Sequence, residues 1–465
     1  MKKAKCANSF LETDLLLPKS RDIESNRLQI VETTSQLPKY LKGGSLDFFI
    51  EPNAVENISL IESFINLKFR VKKYENGEEK DLEDKDAVSV VPFIANSLFR
   101  GVRLWIGDEE VTTSLEQYQQ YEGYVNTLLH LSKEEQQRFL DGAGLYISSK
   151  DTHSMTNPNA DQVTKTFLNP GLTARHAMVA NSSVCRVTSP IMWPLFLVPR
   201  ILPTNTEIKL SFALSSPEFC LIAHPYPQPT DGEGAAVGVA PPLPTYAVKI
   251  ETAQLFLSRY RLSQEALQHQ ERILASSGAL YPMTANHTIS FNAPKDTKEL
   301  TRNIVLGNRI PKMIYVFQTK RSDVENISAS PFNFIHSDIE EIYLDVDGQK
   351  YPAGQSYTPS FSNGDFFKDY RLFQRELNYS NPNMCFDLHG WDSGFTIFAF
   401  NLVPDRSGPD CPYVSVPRQS TGTVTLHIKY RKELEQANTV FVMMEHDKTL
   451  AIDQNRKPHW KPVDF

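Results

Sequence analysis

Alternation of apolar and polar side chains is the dominant pattern along this chain, and it predicts strands. In residues 65–71 (INLKFRV) every second residue is apolar and the others are Asn, Lys and Arg, which is typical of a strand with one solvated face. In residues 331–352, extended runs flank Asp347-Gly348, a dipeptide that tolerates the positive φ angles of a tight turn. The pattern therefore predicts a β-hairpin in this second segment.

Two other segments repeat apolar residues at three- and four-residue intervals, which predicts amphipathic helices. Residues 114–131 place Tyr118, Tyr121 and Val125 on one face. The second helix is predicted over residues 365–378, directly after the hairpin. Each helix thus follows a predicted hairpin, once in each half of the chain.

The two halves share one order of elements: a hairpin, an aromatic helix, an apolar strand that ends in a Pro turn, and an alternating strand. The aligned segments are 102–109 with 342–348, 194–203 with 396–405, and 206–214 with 423–431. Many strands with long connections, and no alternation of strand and helix, favour antiparallel sheets. We therefore predict an all-β protein of two consecutive antiparallel jelly-roll sandwiches, a double jelly roll, with short helical insertions.

Breaks in the pattern of apolar and polar residues predict that the chain is divided into four segments. These are an N-terminal arm at 1–43, a first jelly roll at 44–263, a second jelly roll at 264–455, and a C-terminal tail at 456–465. The arm is polar without sustained periodicity, and we expect it to be ordered by contact with a neighbour. Residues 225–245 are rich in Pro and Gly and are predicted to form an exposed loop or a linker.

The net charge and the cysteine content argue against several classes of protein. A net charge of −7 over 465 residues disfavours a dedicated nucleic-acid binder, which carries a basic face or domain. The five cysteines are odd in number and scattered, which argues against a disulfide framework and fits a reducing compartment. The N-terminus lacks the pattern of a secretory leader, and the apolar run 191–202 is too broken by Pro and Arg to span a bilayer. We expect a soluble protein that is intracellular when made.

Two polar clusters resemble parts of known metal-binding or catalytic sites. Asp345 and Asp347 resemble the start of a calcium-binding loop, but the remaining ligand positions are missing and a hairpin turn explains them better. Asp387 and His389 would share a face if they lay on a strand, forming a carboxylate–imidazole pair. Local hydrogen bonding near Gly390 is the favoured interpretation.

No other polar group shows the spacing of an active site. Phosphate-loop, dinucleotide-binding, zinc-protease and nucleophile-elbow motifs are all absent from the sequence. The scattered or exposed candidates are His130, His176, His224, His446, Glu78, Glu79, Glu340, Glu341, Lys2, Lys3 and Lys5. The charged segment 72–86 is predicted to be a solvated hairpin connection. We predict no catalytic, cofactor-binding or metal-binding residue, no cofactor, and no enzymatic activity.

Several segments, taken in order, resemble the double jelly-roll major capsid proteins, which are hexon-like, of Polinton/Maverick elements and adintoviruses. In the second half these are PFNFIHSDIEEIYLDVDGQKYP, CFDLHGWDSGFTIFAFNLVPD and the run from STGTVTLHIKY to DKTLAID. In the first half they are GGSLDFFI, VVPFIANSLFRGVRLWIGDEEVTT and SSPEFCLIAH. The resemblance covers residues 40–455 and rests on the order of short segments, without a catalytic motif.

The resemblance implies a homotrimer with a pseudo-sixfold outline that builds an icosahedral shell around double-stranded DNA. The implied partners are the chain itself, in trimers and between neighbouring trimers, and penton or minor capsid proteins. Direct sequence-specific nucleic-acid binding and a membrane span are not expected. The implied location is the virion capsid, with synthesis and assembly inside the host cell, in the cytoplasm or nucleus.

Two alternatives of other classes remain open at this point. A double-sandwich enzyme acting on glycans would need two converging carboxylates, and the sequence offers no persuasive pair. A lectin-like binding protein would use exposed aromatic platforms, for which the candidates are Trp105, Trp193, Trp391 and Trp460.

Overall fold

The structure is a computed structural model that describes residues 23–461 with internal gaps. The gaps are residues 36, 38–42, 76, 85, 113–117, 133, 135, 137–139, 146–169, 225–243, 353, 378–383 and 404–420. The predicted Pro- and Gly-rich loop therefore lies almost wholly outside the described residues. So do the candidate residues Lys2, Lys3 and Lys5, and two of the five cysteines, Cys6 and Cys411.

The first half of the described chain consists of strands joined by short helices. Its strands are β1 (Ile23–Glu32), β2 (Ser45–Ile50), β3 (Glu56–Glu75), β4 (Glu78–Lys80), β5 (Val88–Val90), β6 (Phe99–Ile106), β7 (Glu109–Glu110), β8 (Cys185–Pro190), β9 (Ile201–Leu202), β10 (Ile208–Leu214), β11 (Leu221–Ala223) and β12 (Thr245–Leu262). Its helices are α1 (Ile94–Ser97), α2 (Gln119–His130), α3 (Pro170–Ala177) and α4 (Pro217–Cys220).

The strands of the first half form a sandwich of two antiparallel sheets, which we call the first roll. One sheet has the order β1-β12-β3-β8 and the other has the order β2-β10-β6-β7. The short strands β4 and β9 also pair with β3, and β5 pairs with β11. Buried and half-exposed residues alternate along most of β12, because one face of this strand packs into the sandwich.

The second half repeats this construction and is called the second roll. Its strands are β13 (Ala279–Ala293), β14 (Glu299–Arg309), β15 (Met313–Lys320), β16 (Ile339–Val346), β17 (Gln349–Tyr351), β18 (Ile397–Asn401), β19 (Thr421–Tyr430), β20 (Asn438–Ile452) and β21 (Pro458–Lys461). The helices are α5 (Gln264–Ser276), which precedes the roll, α6 (Arg321–Glu325), α7 (Phe367–Glu376) and α8 (Leu388–Asp392). The sheet orders are β13-β20-β15-β18 and β14-β19-β16-β17, and β21 adds to β20.

The two rolls correspond strand for strand. Strands β1, β12, β3 and β8 occupy the positions of β13, β20, β15 and β18, and β2, β10, β6 and β7 occupy those of β14, β19, β16 and β17. The first helix after β7 is α2, and the first after β17 is α7. This confirms the predicted double jelly roll, and the buried apolar side chains of both rolls form one continuous cluster.

One of the three predicted segment alignments is wrong. The counterpart of β18 is β8, whereas residues 194–203 hold a 3-10 turn (Pro194–Leu197) and the two-residue strand β9. Pro194 starts the 3-10 turn and cannot donate a ladder hydrogen bond, so the apolar run there does not extend as a strand. The alignments of 102–109 with 342–348 and of 206–214 with 423–431 are confirmed, since β6 corresponds to β16 and β10 to β19.

The structure also differs from the predicted arm at 1–43 and tail at 456–465. Within the arm, β1 pairs with β12 of the same chain from Ile23 to Glu32 and forms the edge of the first roll. Only Val31 of this strand is buried, so the alternation of apolar residues was too weak to reveal it. Within the tail, β21 pairs with β20. The division between the rolls near 263/264 stays a prediction.

Candidate assembly interface

Helix α2 belongs to the first roll but lies against the second roll. Its sequence, QQYEGYVNTLLH, mixes apolar and polar residues, yet nearly every position is buried. Burial extends to Gln119, Gln120 and Glu122, which an ordinary amphipathic helix would turn to solvent. The helix is therefore covered on both sides, by its own roll and by the neighbouring one.

Aromatic rings form the centre of this junction. The ring of Tyr121 lies 4.4 Å from that of Phe441 and 5.5 Å from that of Phe332, both in the second roll. Tyr124 lies 4.3 Å from Phe332, and Phe441 stacks on Phe317 at 5.3 Å. Aromatic pairs at these separations add about 0.5–1.5 kcal/mol each beyond the area they bury. Burial also raises the pKa of both tyrosines, so they remain neutral at any physiological pH.

Polar contacts fix the position of α2 along the second roll. The hydroxyl of Thr288 donates to the carboxylate of the buried Glu122 at 2.7 Å. The hydroxyls of Tyr118 and Ser290 lie 2.8 Å apart. Both partners sit on β13, and a buried polar group that loses its partner costs about 1–3 kcal/mol, so a shift along the strand is unfavourable.

A second set of contacts joins the rolls near the start of β13 and the connection between β20 and β21. Tyr281 donates its hydroxyl hydrogen to the carbonyl oxygen of Ile201 at 2.9 Å. Arg456 donates from Nε to the carbonyl oxygen of Thr204 at 2.9 Å and pairs with Glu271 on α5 at 2.5 Å. The two rolls are thus joined side by side at two separate places.

The hairpin turn of the second roll uses its two aspartates for backbone hydrogen bonds. Asp347 and Gly348 both have positive φ, 49° and 86°, as a type I′ turn requires. Asp345 accepts from the amide of Gly348 at 2.8 Å, and Asp347 accepts from the amide of Thr423 at 2.9 Å. Their carboxylates therefore shape the turn, as the sequence predicted, and do not face one another as metal ligands.

Asp387 and His389 do not form the pair that a strand would have given. Asp387 is the N-cap of α8 and accepts from the amide of Gly390 at 2.9 Å. His389 lies on the helix and is exposed. The favoured interpretation, local hydrogen bonding near Gly390, is confirmed, and the alternative of two residues on a strand fails because Asp387 caps a helix.

The tryptophans do not form a common platform. Trp193 and Trp391 are buried, and Trp391 donates from its indole nitrogen to the carbonyl oxygen of Ile397 at 2.8 Å. Trp105 is half-buried beneath Arg103, with the guanidinium carbon 4.7 Å from the ring. Trp460 lies on β21 beside Lys448. Two of the four residues proposed for a lectin are therefore core residues.

The other residues singled out in the sequence are spread over the fold. His176 is buried against the carbonyl oxygen of Val88 at 2.6 Å. Glu340 pairs with Lys429 at 3.1 Å on the surface of the second roll. Burial raises the pKa of the Cys185 thiol to about 12, so this thiol stays protonated. Of the described cysteines, Cys185 and Cys220 are buried free thiols.

A buried ion cluster that the sequence pattern did not reveal lies at the end of β3. The ammonium group of Lys73 is fully buried, 2.9 Å from the equally buried Asp86 and 3.0 Å from Glu83. Burial by itself lowers the pKa of this lysine, but hydrogen bonds to the two carboxylates outweigh burial and raise it. The segment 72–86 is therefore not simply a solvated connection, because its charges close over a lysine of the strand.

Over the described ranges, no three His, Cys, Asp or Glu side chains converge as metal ligands would. One depression is lined by Arg309, Lys312, His446 and Asp447 and has room for about one water molecule. None of the helices in the described part of the chain is long and apolar enough to cross a membrane.

Known proteins share this fold at low sequence identity. No protein-family model and no curated protein sequence matches the chain. The cryo-EM structure of the Sputnik virophage matches it with a TM-score of 0.60 and 12% identity, over 96% of this chain and 90% of the other.

Two further structures match to a similar extent. The Faustovirus major capsid protein has a TM-score of 0.52 and 9% identity, over 92% of this chain and 90% of its own. The mavirus major capsid protein has a TM-score of 0.52 and 12% identity, over 94% and 90%. The likeness extends over both rolls, so the chain shares the complete double jelly-roll fold of these capsid proteins.

Proposed function

We propose that this chain is a major capsid protein that forms homotrimeric, pseudo-hexameric capsomers of an icosahedral shell around double-stranded DNA. The observation that carries the proposal is the double jelly roll itself, which extends over the same two rolls as in the virophage and Faustovirus structures. Two like rolls joined side by side in each chain supply six like units in a trimer. Such a ring presents six similar outer walls to its neighbours.

Within this proposal the chain belongs to the capsid proteins of Polinton/Maverick elements and adintoviruses, on the sequence segments quoted above. Its partners are further copies of itself, first within the trimer and then between trimers, together with penton or minor capsid proteins. The protein resides in the virion capsid and assembles inside the host cell.

The charge of the chain supports a shell that does not itself condense the genome. A net charge of −7 gives the chain no overall attraction for DNA phosphates. We therefore infer that other, basic proteins neutralise the packaged DNA. Sequence-specific DNA contact by this chain is not part of the proposal.

Mass measurement tests the capsomer directly. Light scattering coupled to size-exclusion chromatography should give three times the chain mass of 52.8 kDa, about 158 kDa. Negative-stain images of the same fraction should show hexagonal outlines. A stable monomer at micromolar concentration, with no larger particle in the images, would overturn the proposal.

A further inference from the structure

The junction between α2 and the second roll has a counterpart, and no described part of the chain covers either half of it. In that junction, the helix that follows β7 covers the outer face of the sheet β13-β20-β15-β18. The corresponding helix in the second roll is α7, and the corresponding sheet in the first roll is β1-β12-β3-β8. Among the described residues, these two surfaces do not pack against each other within one chain.

The outer face of the sheet β1-β12-β3-β8 carries an apolar row. Strand register places Ile30 opposite Phe256, Phe256 opposite Phe64, and Phe64 opposite Pro190, so the four side chains share one face across the four strands. Both sequence neighbours of Phe64 and of Phe256 are buried inside the sandwich, as is Val31 beside Ile30, which puts the row on the outside. Leu28 extends it along β1.

This row is open to solvent at its edge. Ile30 is 53% exposed and Leu28 is 49% exposed, and the rings of Phe64 and Phe256 stack at 4.7 Å while remaining only partly buried. On the corresponding sheet of the second roll, the stacked pair Phe317 and Phe441 is fully covered. That coverage includes α2, and in the described part of the chain no helix covers the first roll in the same way.

Helix α7 presents a surface that fits this face. It buries Asp369, Phe373 and Glu376 against its own roll, at the spacing of one helical stripe. On the opposite side Phe367 is 62% exposed. The remaining exposed positions of the helix are basic: Lys368, Arg371 and Arg375.

Acidic residues lie beside the apolar row on the first roll. Glu32 follows Ile30 on the same face of β1, and Glu62 precedes Phe64 by two residues on β3. Basic residues around Phe367 and acidic residues around Ile30 are complementary in sign, which favours this pairing over contact between two identical faces.

We propose that α7 of one copy docks through Phe367 on the apolar row around Ile30 of a second copy, reproducing between chains the contact that α2 makes within a chain. The contact is head-to-tail, so each chain offers both halves and a closed ring uses all of them. This inference rests on the proposed function and specifies which surfaces hold the trimer together. A ring of three chains leaves neither surface exposed.

Two substitutions and a matched control test the docking. Phe367→Glu and Ile30→Asp place a charge at the centre of either half, and both sites are exposed enough in the single chain to leave its fold intact. Leu306→Glu is the control, because Leu306 is 64% exposed and lies on β14, away from both surfaces. In light scattering, the trimer of each docking variant should dissociate at protein concentrations at least about tenfold higher than the wild-type trimer does. The circular dichroism spectrum of each variant should be unchanged. The control variant should match the wild type in both measurements.

The outcomes separate this inference from the proposed function. A monomeric wild type would remove both. A trimeric wild type whose docking variants remain trimeric, or whose control dissociates equally, would overturn the docking surfaces alone. A thiol-specific cross-linker gives independent support: mixed Phe367→Cys and Ile30→Cys chains should cross-link to each other, whereas neither variant alone should exceed the wild-type background. Equal cross-linking within a single variant would contradict the head-to-tail contact.

Discussion

Lys73 illustrates how one buried charge can stabilise a loop that looks solvated from its sequence. Its side chain is completely buried together with that of Asp86, and Glu83 supplies a second hydrogen bond. Taking a single ammonium group out of water costs several kcal/mol unless carboxylates compensate it. The cluster therefore connects the end of β3 to the segment that follows it.

Replacing Lys73 by Met should destabilise the protein by about 3–5 kcal/mol, because Asp86 would remain buried without its cation. Lys72→Met is the matched control, since Lys72 pairs with the exposed Asp81 at the surface. Its loss should cost about 1 kcal/mol or less. Denaturant unfolding of both variants measures the difference, and equal losses would show that the buried pair contributes no more than the surface pair.

The lowered pKa of His446 on β20 predicts how the stability of the protein responds to acid. Burial, with help from the nearby charges of Lys448, His287 and Arg309, lowers the pKa of His446 from 6.5 to about 4. Between these two values the unfolded chain binds a proton that the folded chain does not, so the free energy of unfolding falls as pH falls through this window. Below pH 4 both states are protonated and the loss from this residue is complete.

The shift corresponds to a loss of roughly 3 kcal/mol between pH 7 and pH 4 from this residue. A His446→Gln variant should therefore lose less stability than the wild type over that range. His389→Gln, at an exposed site, should follow the wild type. Melting temperatures measured from pH 7 to pH 4 provide the test, and identical slopes for wild type and His446→Gln would refute it.

At the scale of elements, strand β1 makes part of the predicted N-terminal arm an edge of the first roll. This strand is the only described partner of β12 on that side of the sheet, paired from Ile23 to Glu32. Arg27 on β1 also forms a two-pronged ion pair with Glu56 on β3, at 2.7 and 2.6 Å. The strand is thus part of the first roll and completes its eight-strand pattern.

Deleting residues 1–34 should lower the melting temperature and the yield of folded protein, because β12 loses its edge partner and exposes its row of backbone groups. Deleting residues 1–22 is the control, since it keeps every described strand. Thermal unfolding followed by circular dichroism compares the two. If both truncated chains melt at the wild-type temperature, β1 contributes nothing to the stability of the roll.

Strong alternation and turn chemistry were sufficient to predict most of these elements. The strand at 65–71, the hairpin at Asp347-Gly348 and helices α2 and α7 were all visible, because each buries one regular face or needs one special turn. Strand β1 was not visible, because only one of its residues is buried. Helix α8, which Asp387 caps, was not visible, since a helix of five residues has too few positions to show a period.

The interface could be predicted only in part. Tyr118 and Tyr121 were recognised as one face of a helix, but nothing in their spacing indicates that the covering surface is a second roll. The partners Phe317, Phe332 and Phe441 lie about 200 or more residues away, and such long-range pairing leaves no local periodicity. The sequence offers one signal of this second cover, the charged residue Glu122, which lies on a helix that is buried on nearly every side.

At the scale of the whole molecule, the duplication accounts for the length of the chain, since each half builds one complete roll. Two rolls in the same order are placed side by side, and the helix of the first roll fills the space between them. The same helix position in the second roll, α7, is free to fill the corresponding space toward another chain. Three chains can then alternate first and second rolls around a ring of six.

A cryo-EM reconstruction of the purified capsomer tests this account most directly. We expect three chains with six rolls in a pseudo-sixfold ring, and α7 of each chain seated on the sheet β1-β12-β3-β8 of the next. A reconstruction in which copies meet through other surfaces would contradict the docking. One that contains a single chain would contradict the capsid function itself.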